Sequence, residues 1–379
     1  MSVPLRAWLG YFLRLGTFGF GGPIALAAAM HRELVMERRW ITEAEYKEGL
    51  ALAQLAPGPL AAQLAIYLGW IRARTLGATL VGIAFVGPSL VMVLLLAWGY
   101  LHFGGLPWMQ AAFYGIGAAV IGIIARGAWT LGVRSVGRDP LLAAILGINA
   151  VVVAATEQEL VWVFALSGLL VPLARGIRPR VGAGTATLLL PPWWLAGLHG
   201  AADPALLAVI FAFFAKASLI VFGSGLAVVP FLHGGVVTAY GWLSERQFLD
   251  AVAVSMITPG PVVITVAFIG MLVAGLAGGL VAALGMFLPT WGAVVLLAPW
   301  FRRIMASPGL RAAVDGVTAA AAGALAGAVV VLGRRALVDP ATWIIALVTL
   351  VLLWRVRRVP EPLVIVAAGF IGLALRSGR

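Results

Sequence analysis

Long apolar runs separated by short polar links dominate the chain. Thr75–Leu101, Ala205–Leu232 and Leu276–Pro299 are almost free of charge, and each exceeds the roughly 20 residues that cross a bilayer core as a helix. Taken in order, the runs predict helices over about 8–30, 44–71, 75–101, 110–133, 140–155 and 159–174, then 205–231, 246–270, 275–300, 309–333, 341–354 and 361–375. The expected fold is an all-α, polytopic transmembrane protein with roughly 10–12 membrane segments. Two predicted helices in each half are interrupted. Phe18-Gly19-Phe20-Gly21-Gly22-Pro23 and Phe222-Gly223-Ser224-Gly225 break the first, and Pro57-Gly58-Pro59 and Pro259-Gly260-Pro261 break the second. Proline removes a backbone donor and glycine lowers helix stability. Such breaks persist at membrane depth only where protein or an aqueous cavity covers the freed backbone.

The breaks belong to an internal repeat. Phe12/Phe214, Arg14/Lys216, Phe20/Phe222, His31/His233, Trp40/Trp242, Glu43/Glu245 and the Pro-Gly-Pro runs recur at a separation of 202 positions. Pro88/Pro289, Gly115/Gly316 and Gly122/Gly323 follow at 201, and Asp139-Pro140/Asp339-Pro340 at 200. The expected organisation is an N-terminal repeat over 1–180, a linker over 181–203 and a C-terminal repeat over 204–379. In each half Trp-[Ile/Leu]-[Thr/Ser]-Glu (Trp40–Glu43, Trp242–Glu245) predicts an interfacial tryptophan followed by a helix cap.

Loop charge predicts that the halves are inverted. Arg72 and Arg74 follow the first Pro-Gly-Pro helix, whereas Gly270–Ala277 carries no charge. The next link is uncharged in half one (Leu101–Gln110) and carries Arg302, Arg303 and Arg311 in half two. Opposite bias at equivalent loops is the signature of inverted topology. Inversion also needs an odd number of crossings between equivalent points, and Arg334/Arg335 fit it poorly.

Composition agrees with the pattern. Hydrophobic residues make up 62% of the chain and charged residues 11%, against about a quarter charged in soluble domains. The net charge of +12 lies in short clusters between apolar runs, which fits cytoplasmic loops and not a nucleic-acid face. It could also attract an anionic substrate. There are no cysteines, so disulfides, thiolate metal sites and thiol nucleophiles are excluded; no metal or cofactor is expected. Met1–Arg6 has no cleavable signal character, so the first apolar segment is expected to stay.

The Pro-Gly-Pro runs predict a stop, a gap and a start: one helix ends near Ala56 and Pro59 opens the next. The following half-helix begins near the bilayer midplane. Its free N–H groups and positive dipole end form an anion site without a basic side chain. The candidate substrate-binding residues are therefore Gly21, Gly22, Pro23, Gln54, Pro57, Gly58 and Pro59, with Gly223, Ser224, Gly225, Thr258, Pro259, Gly260 and Pro261 in the second half. Gln63 and Thr265 flank the same breaks and could donate to oxyanion oxygens or satisfy freed backbone. Arg14, Lys216 and Arg126 lie at membrane depth, where they could neutralise an anion or snorkel to the interface. His31 and His233 could relay protons or cap helix ends.

These residues resemble the chromate ion transporter family in its long two-domain form. The likeness rests on Phe20–Pro23, Gln54–Pro59, Phe222–Gly225, Trp242–Glu245 and Thr258–Val262, and it covers essentially the whole chain. Gly225 stands where the first half has Pro23, so the second copy is a weaker match. The resemblance implies export of chromate across the inner membrane, giving chromate resistance, by a proton-coupled antiporter. Sulfate is the look-alike to be excluded or shared. A sulfate transporter or an anion channel of the same architecture is the alternative. An intramembrane serine hydrolase using Ser224 is disfavoured, because Phe222 stands where a Gly-x-Ser-Gly motif needs glycine. No P-loop or His-Glu-x-x-His motif is present. The partners expected are the anion, protons and lipid, with no nucleic acid. GxxxG spacings such as Gly275–Gly279 and Gly323–Gly327 allow close packing within the chain or in a homodimer.

Overall fold

The computed structural model describes residues 3–20, 22–103, 107–156, 161–176, 203–223, 225–300, 308–356 and 359–376. Its first half comprises α1 (Leu5–Phe18), α2 (Gly22–Met30, prolonged by a π-helical turn), α3 (Glu43–Leu55), β1 (Gly58–Pro59), α4 (Leu60–Phe103), α5 (Pro107–Val136), α6 (Pro140–Thr156) and α7 (Val161–Ala174). The second half repeats the order as α8 (Pro204–Ile220), β2 (Phe222–Gly223), α9 (Val229–His233), α10 (Glu245–Ile257), α11 (Thr265–Leu297), α12 (Pro308–Ala336), α13 (Pro340–Arg355) and α14 (Glu361–Arg376).

Each predicted break is a point of chain reversal. Helix α1 enters and α2 returns beside it: the Trp8 and Trp40 rings meet, tilted, at 5.8 Å, and Arg14 pairs with Glu33. The run predicted as one interrupted helix over 8–30 is thus a hairpin that turns between α1 and α2, beyond Gly19. The Pro-Gly-Pro run is the tip of a second hairpin, with Tyr67 on α4 packed against Gly49 on α3. A continuous helix would hold those residues about 27 Å apart. Half two repeats this, with Phe213 of α8 against Phe231 and Gly235 of the returning segment. Both second hairpins start as the Trp-x-[Ser/Thr]-Glu motif predicts. Thr42 with Glu45, and Ser244 with Gln247, form reciprocal capping boxes at α3 and α10.

Helices α4 and α11 are bent again, at Ala73–Arg74 and Ala274–Gly275. There each chain turns back, and the predicted pair of helices forms a hairpin whose arms cross at a glycine contact, Gly69 on Gly77 and Gly270 on Gly278. No side chain fits between arms that close. Among the described residues four helices are long and apolar enough to cross a membrane: Leu60–Phe103, Trp108–Val136, Val262–Trp300 and Ala312–Ala336. The remaining membrane segments are shorter.

The second arms of α4 and α11 run antiparallel. Trp291, near the end of α11, donates to Thr79, near the start of the α4 arm, at 3.1 Å. Leu94, late in α4, packs on Gly279, early in α11. Equivalent arms of opposite direction are what inverted halves require. The halves also exchange helices. The hairpin α13–α14 packs on α5 of half one, while α6–α7 packs on α12 of half two. Small residues again set the contact: Gly115 meets Ala368 and Gly122 meets Ala346, matched by Gly316 on Ser167 and Gly323 on Leu146.

One face collects Arg72, whose guanidinium donates to Val3 O at 2.7 Å, with Arg74, Arg134, Arg138 and Arg175. By the positive-inside rule this face is cytoplasmic. Arg335 lies at the other face and pairs there with Glu245, which accounts for its poor fit to the charge pattern. Because the chain has no cysteine, single cysteines at positions 73 and 274 report cleanly. They are expected to react with an impermeant reagent from opposite sides of the membrane, and same-side labelling would refute the inversion.

Candidate functional site

The four hairpin tips meet at one place and bond reciprocally across the halves. Gly58 N donates to Val221 O at 2.6 Å, and Gly260 N donates to Gly19 O at 2.8 Å. These are equivalent bonds, because Gly58/Gly260 and Gly19/Val221 are repeat pairs. The first contact extends into a two-residue parallel ladder, Gly58 opposite Phe222 and Pro59 opposite Gly223. Each Pro-Gly-Pro tip is thus held by the glycine cluster of the opposite half.

The glycines are required twice over. Gly58 has φ +133° and Gly260 φ +96°, conformations that side chains disfavour. A Cβ on Gly58 would stand 2.8 Å from Gln63 Nε2 and 2.9 Å from Thr290 Oγ1. A Cβ on Gly260 would overlap Ser89 Oγ. Ser89 and Thr290 are themselves repeat partners, each following an aligned proline (Pro88, Pro289), and both are buried. Ser89 Oγ donates to Gly16 O at 3.2 Å, while Thr290 Oγ1 shares a hydrogen bond with Ser218 at 2.9 Å. The repeat held a signal for these hydroxyls, a Pro-[Ser/Thr] step in both copies; only their convergence on the tips was invisible.

The tip carbonyls are largely satisfied: Gly19 O and Val221 O by the cross-half bonds, and Pro57 O by the Gln63 amide at 2.7 Å. The first-turn N–H groups of the helices that leave the tips, Ala61 and Ala62 among them, have no carbonyl one turn earlier in their own helix. The balance favours an anion. Thr258 and Thr265 turn their hydroxyls to nearby carbonyls, Ser255 O at 3.0 Å and Val262 O at 2.7 Å. Gln54 is exposed whereas its partner Met256 is buried. Gly22, Pro23 and Gly225 lie at the starts of the returning segments, and Gly21 and Ser224 lie outside the described residues.

The charged candidates separate. Lys216 is half-buried near the end of α8, its ammonium 5.8 Å from the Phe231 ring, and among the described residues it has no carboxylate partner. Arg14 is more exposed and paired with Glu33. Arg126 faces Glu361 at 3.4 Å and lines a cavity of about 500 Å³ with Trp129, Arg134 and Trp354, which contains none of the tip residues. His31 and His233 sit at the bases of the hairpins, 2.7 Å from Glu43 and 2.8 Å from Glu245. The His31 imidazole holds the Glu43 carboxyl below its usual range.

Residues 7–171 and 208–373 each match the chromate transporter family, one match per half. The chain belongs to that family. A chromate transport protein of Cupriavidus metallidurans is 57% identical over 374 residues, 98% of this chain and 93% of that protein. A probable chromate transport protein of Synechococcus elongatus is 52% identical over 383 residues, covering 99% and 97%. A chromate transport protein of Pseudomonas aeruginosa is 33% identical over 328 residues, covering 82% and 77%. No solved structure matches the chain. As a chromate transporter family member it is a multi-pass plasma-membrane transport protein and not an enzyme.

Proposed function

We propose that the protein is a secondary transporter that exports chromate, with the four hairpin tips as its anion site and protons as the coupling ion. The observation that carries this reading is the reciprocal bonding of each Pro-Gly-Pro tip to the opposite glycine cluster. It places two helix starts from inverted halves around one point, a recurrent architecture for anion sites in transporters. Lys216 supplies countercharge from half two. The exposed Gln54, polar at tip depth, marks the water-accessible side, since lipid would penalise it. Its buried partner Met256 marks the closed side. A site open on one side only, between pseudo-equivalent halves, is one end state of alternating access. An interior-negative potential drives a dianion outward, by about 2.3 kcal/mol per charge per 100 mV.

Reconstituted protein tests the reading directly. Chromate flux in proteoliposomes is expected to saturate, to respond to membrane potential and to persist in excess sulfate. Complete competition by sulfate would make the protein a general oxyanion transporter, and conductance-like flux without saturation would make it a channel.

A further inference from the structure

Asp250 is 3% exposed on α10, the helix that leads directly to the tip at Thr258–Pro261. Its carboxylate accepts a hydrogen bond from the Tyr100 hydroxyl of α4 at 2.7 Å, across the boundary between the halves. Tyr100 is held by edge contacts with Phe113 and Phe268 at 5.6 and 5.4 Å. Among the described residues the titratable and charged groups acting on Asp250 are Tyr100 and Arg246, one turn earlier on α10. The Arg246 guanidinium donates to Gln110 O at 3.0 Å. Helices α5, α11 and α14 also pack on α10, and none of them adds a titratable group to this set. The repeat partner of Asp250 is Glu48, which is only half-buried, so the buried acid belongs to one half alone.

A carboxyl buried against a tyrosine hydroxyl can take up a proton without losing that contact, because the hydroxyl can accept as well as donate. Eight residues of helix, roughly 12 Å, separate it from Thr258. A charge there acts on a dianion at the tips through protein and not through water. We propose that Asp250 is a proton-binding site linked to the anion site, a proton on Asp250 strengthening the hold on the dianion. This rests on the tips being the anion site. It fixes the sign of the coupling: proton and anion bind together, in place of exchanging for one another. The loaded site still carries net negative charge outward under an interior-negative potential.

The test is the KM for chromate in proteoliposomes, measured from pH 7 upward on wild type and variants. In wild type KM should rise with pH, by at most about tenfold per pH unit for one linked proton. Asp250→Asn should hold the low-pH KM throughout, and Asp250→Glu should restore the rise. Tyr100→Phe, which keeps the ring and removes the donor to the charged form, should move the rise to higher pH. A wild-type KM that is saturable but flat with pH overturns the assignment, as does an Asp250→Asn slope equal to wild type. Wild-type flux that never saturates would instead overturn the transport reading.

Discussion

Alanine in place of Gly260 is expected to remove chromate transport, at least tenfold in rate, while the protein still reaches the membrane. The added Cβ would overlap Ser89 Oγ, and the residue would have to keep φ +96°. Holding a non-glycine residue in such a region costs of order 1–3 kcal/mol. That is small beside the burial of the surrounding helices but large at a point where two tips meet through one bond, Gly260 N to Gly19 O. Gly58→Ala should act in the same direction through Gln63 and Thr290. The double variant Gly260→Ala/Ser89→Ala relieves the overlap with the hydroxyl but not the backbone strain, so it should recover only part of the rate. Flux in vesicles, normalised to membrane-inserted protein, is the measurement. Wild-type flux in Gly260→Ala would show that the tips are not the site.

Lys216→Gln should lower chromate transport roughly tenfold or more, whereas Arg14→Gln should cost only a few-fold. The two positions are repeat partners, and sequence reasoning treats them alike. Their surroundings differ: Arg14 is exposed and its charge is matched by Glu33, while Lys216 is half-buried over Phe231 with no carboxylate beside it among the described residues. A half-buried cation without a carboxylate is the one an incoming anion can neutralise. Removing it leaves the dianion held by backbone dipoles and hydroxyls. Equal losses in the two variants, or a larger loss for Arg14, would reject this division of roles. Lys216→Arg, which keeps the charge, should retain most of the activity and separates charge from packing.

Much of this organisation is legible residue by residue. The apolar runs set the class, since a chain with so few charges cannot remain in water. The aligned Pro-Gly-Pro and glycine clusters located the breaks to within about four residues of the observed helix ends, because proline and glycine act on the local backbone. The capping boxes at Thr42 and Ser244 were equally local. What the apolar pattern could not tell was whether a helix continues or reverses at a break, since both leave the same one-dimensional trace. The hairpins over 5–37 and 43–72 were therefore expected as interrupted helices. The convergence of Ser89 and Thr290 on the tips, and the burial of Asp250, are not legible in the sequence for a related reason: single polar residues in apolar runs gain meaning only from what faces them.

The sequence by itself determined a membrane-embedded helical protein of two repeated halves and where its helices break. Those are consequences of hydropathy, backbone chemistry and spacing, all of which act over a few residues. Tertiary structure alone decided that each tip is held by the opposite half, that α5 and α12 receive the other half's terminal hairpins, and that Lys216 rather than Arg14 is left, among the described residues, without a carboxylate. Those depend on contacts between residues far apart in the chain, 253 positions in the case of Gly115 on Ala368, where close packing of small residues selects one arrangement among many that the same hydrophobic pattern permits.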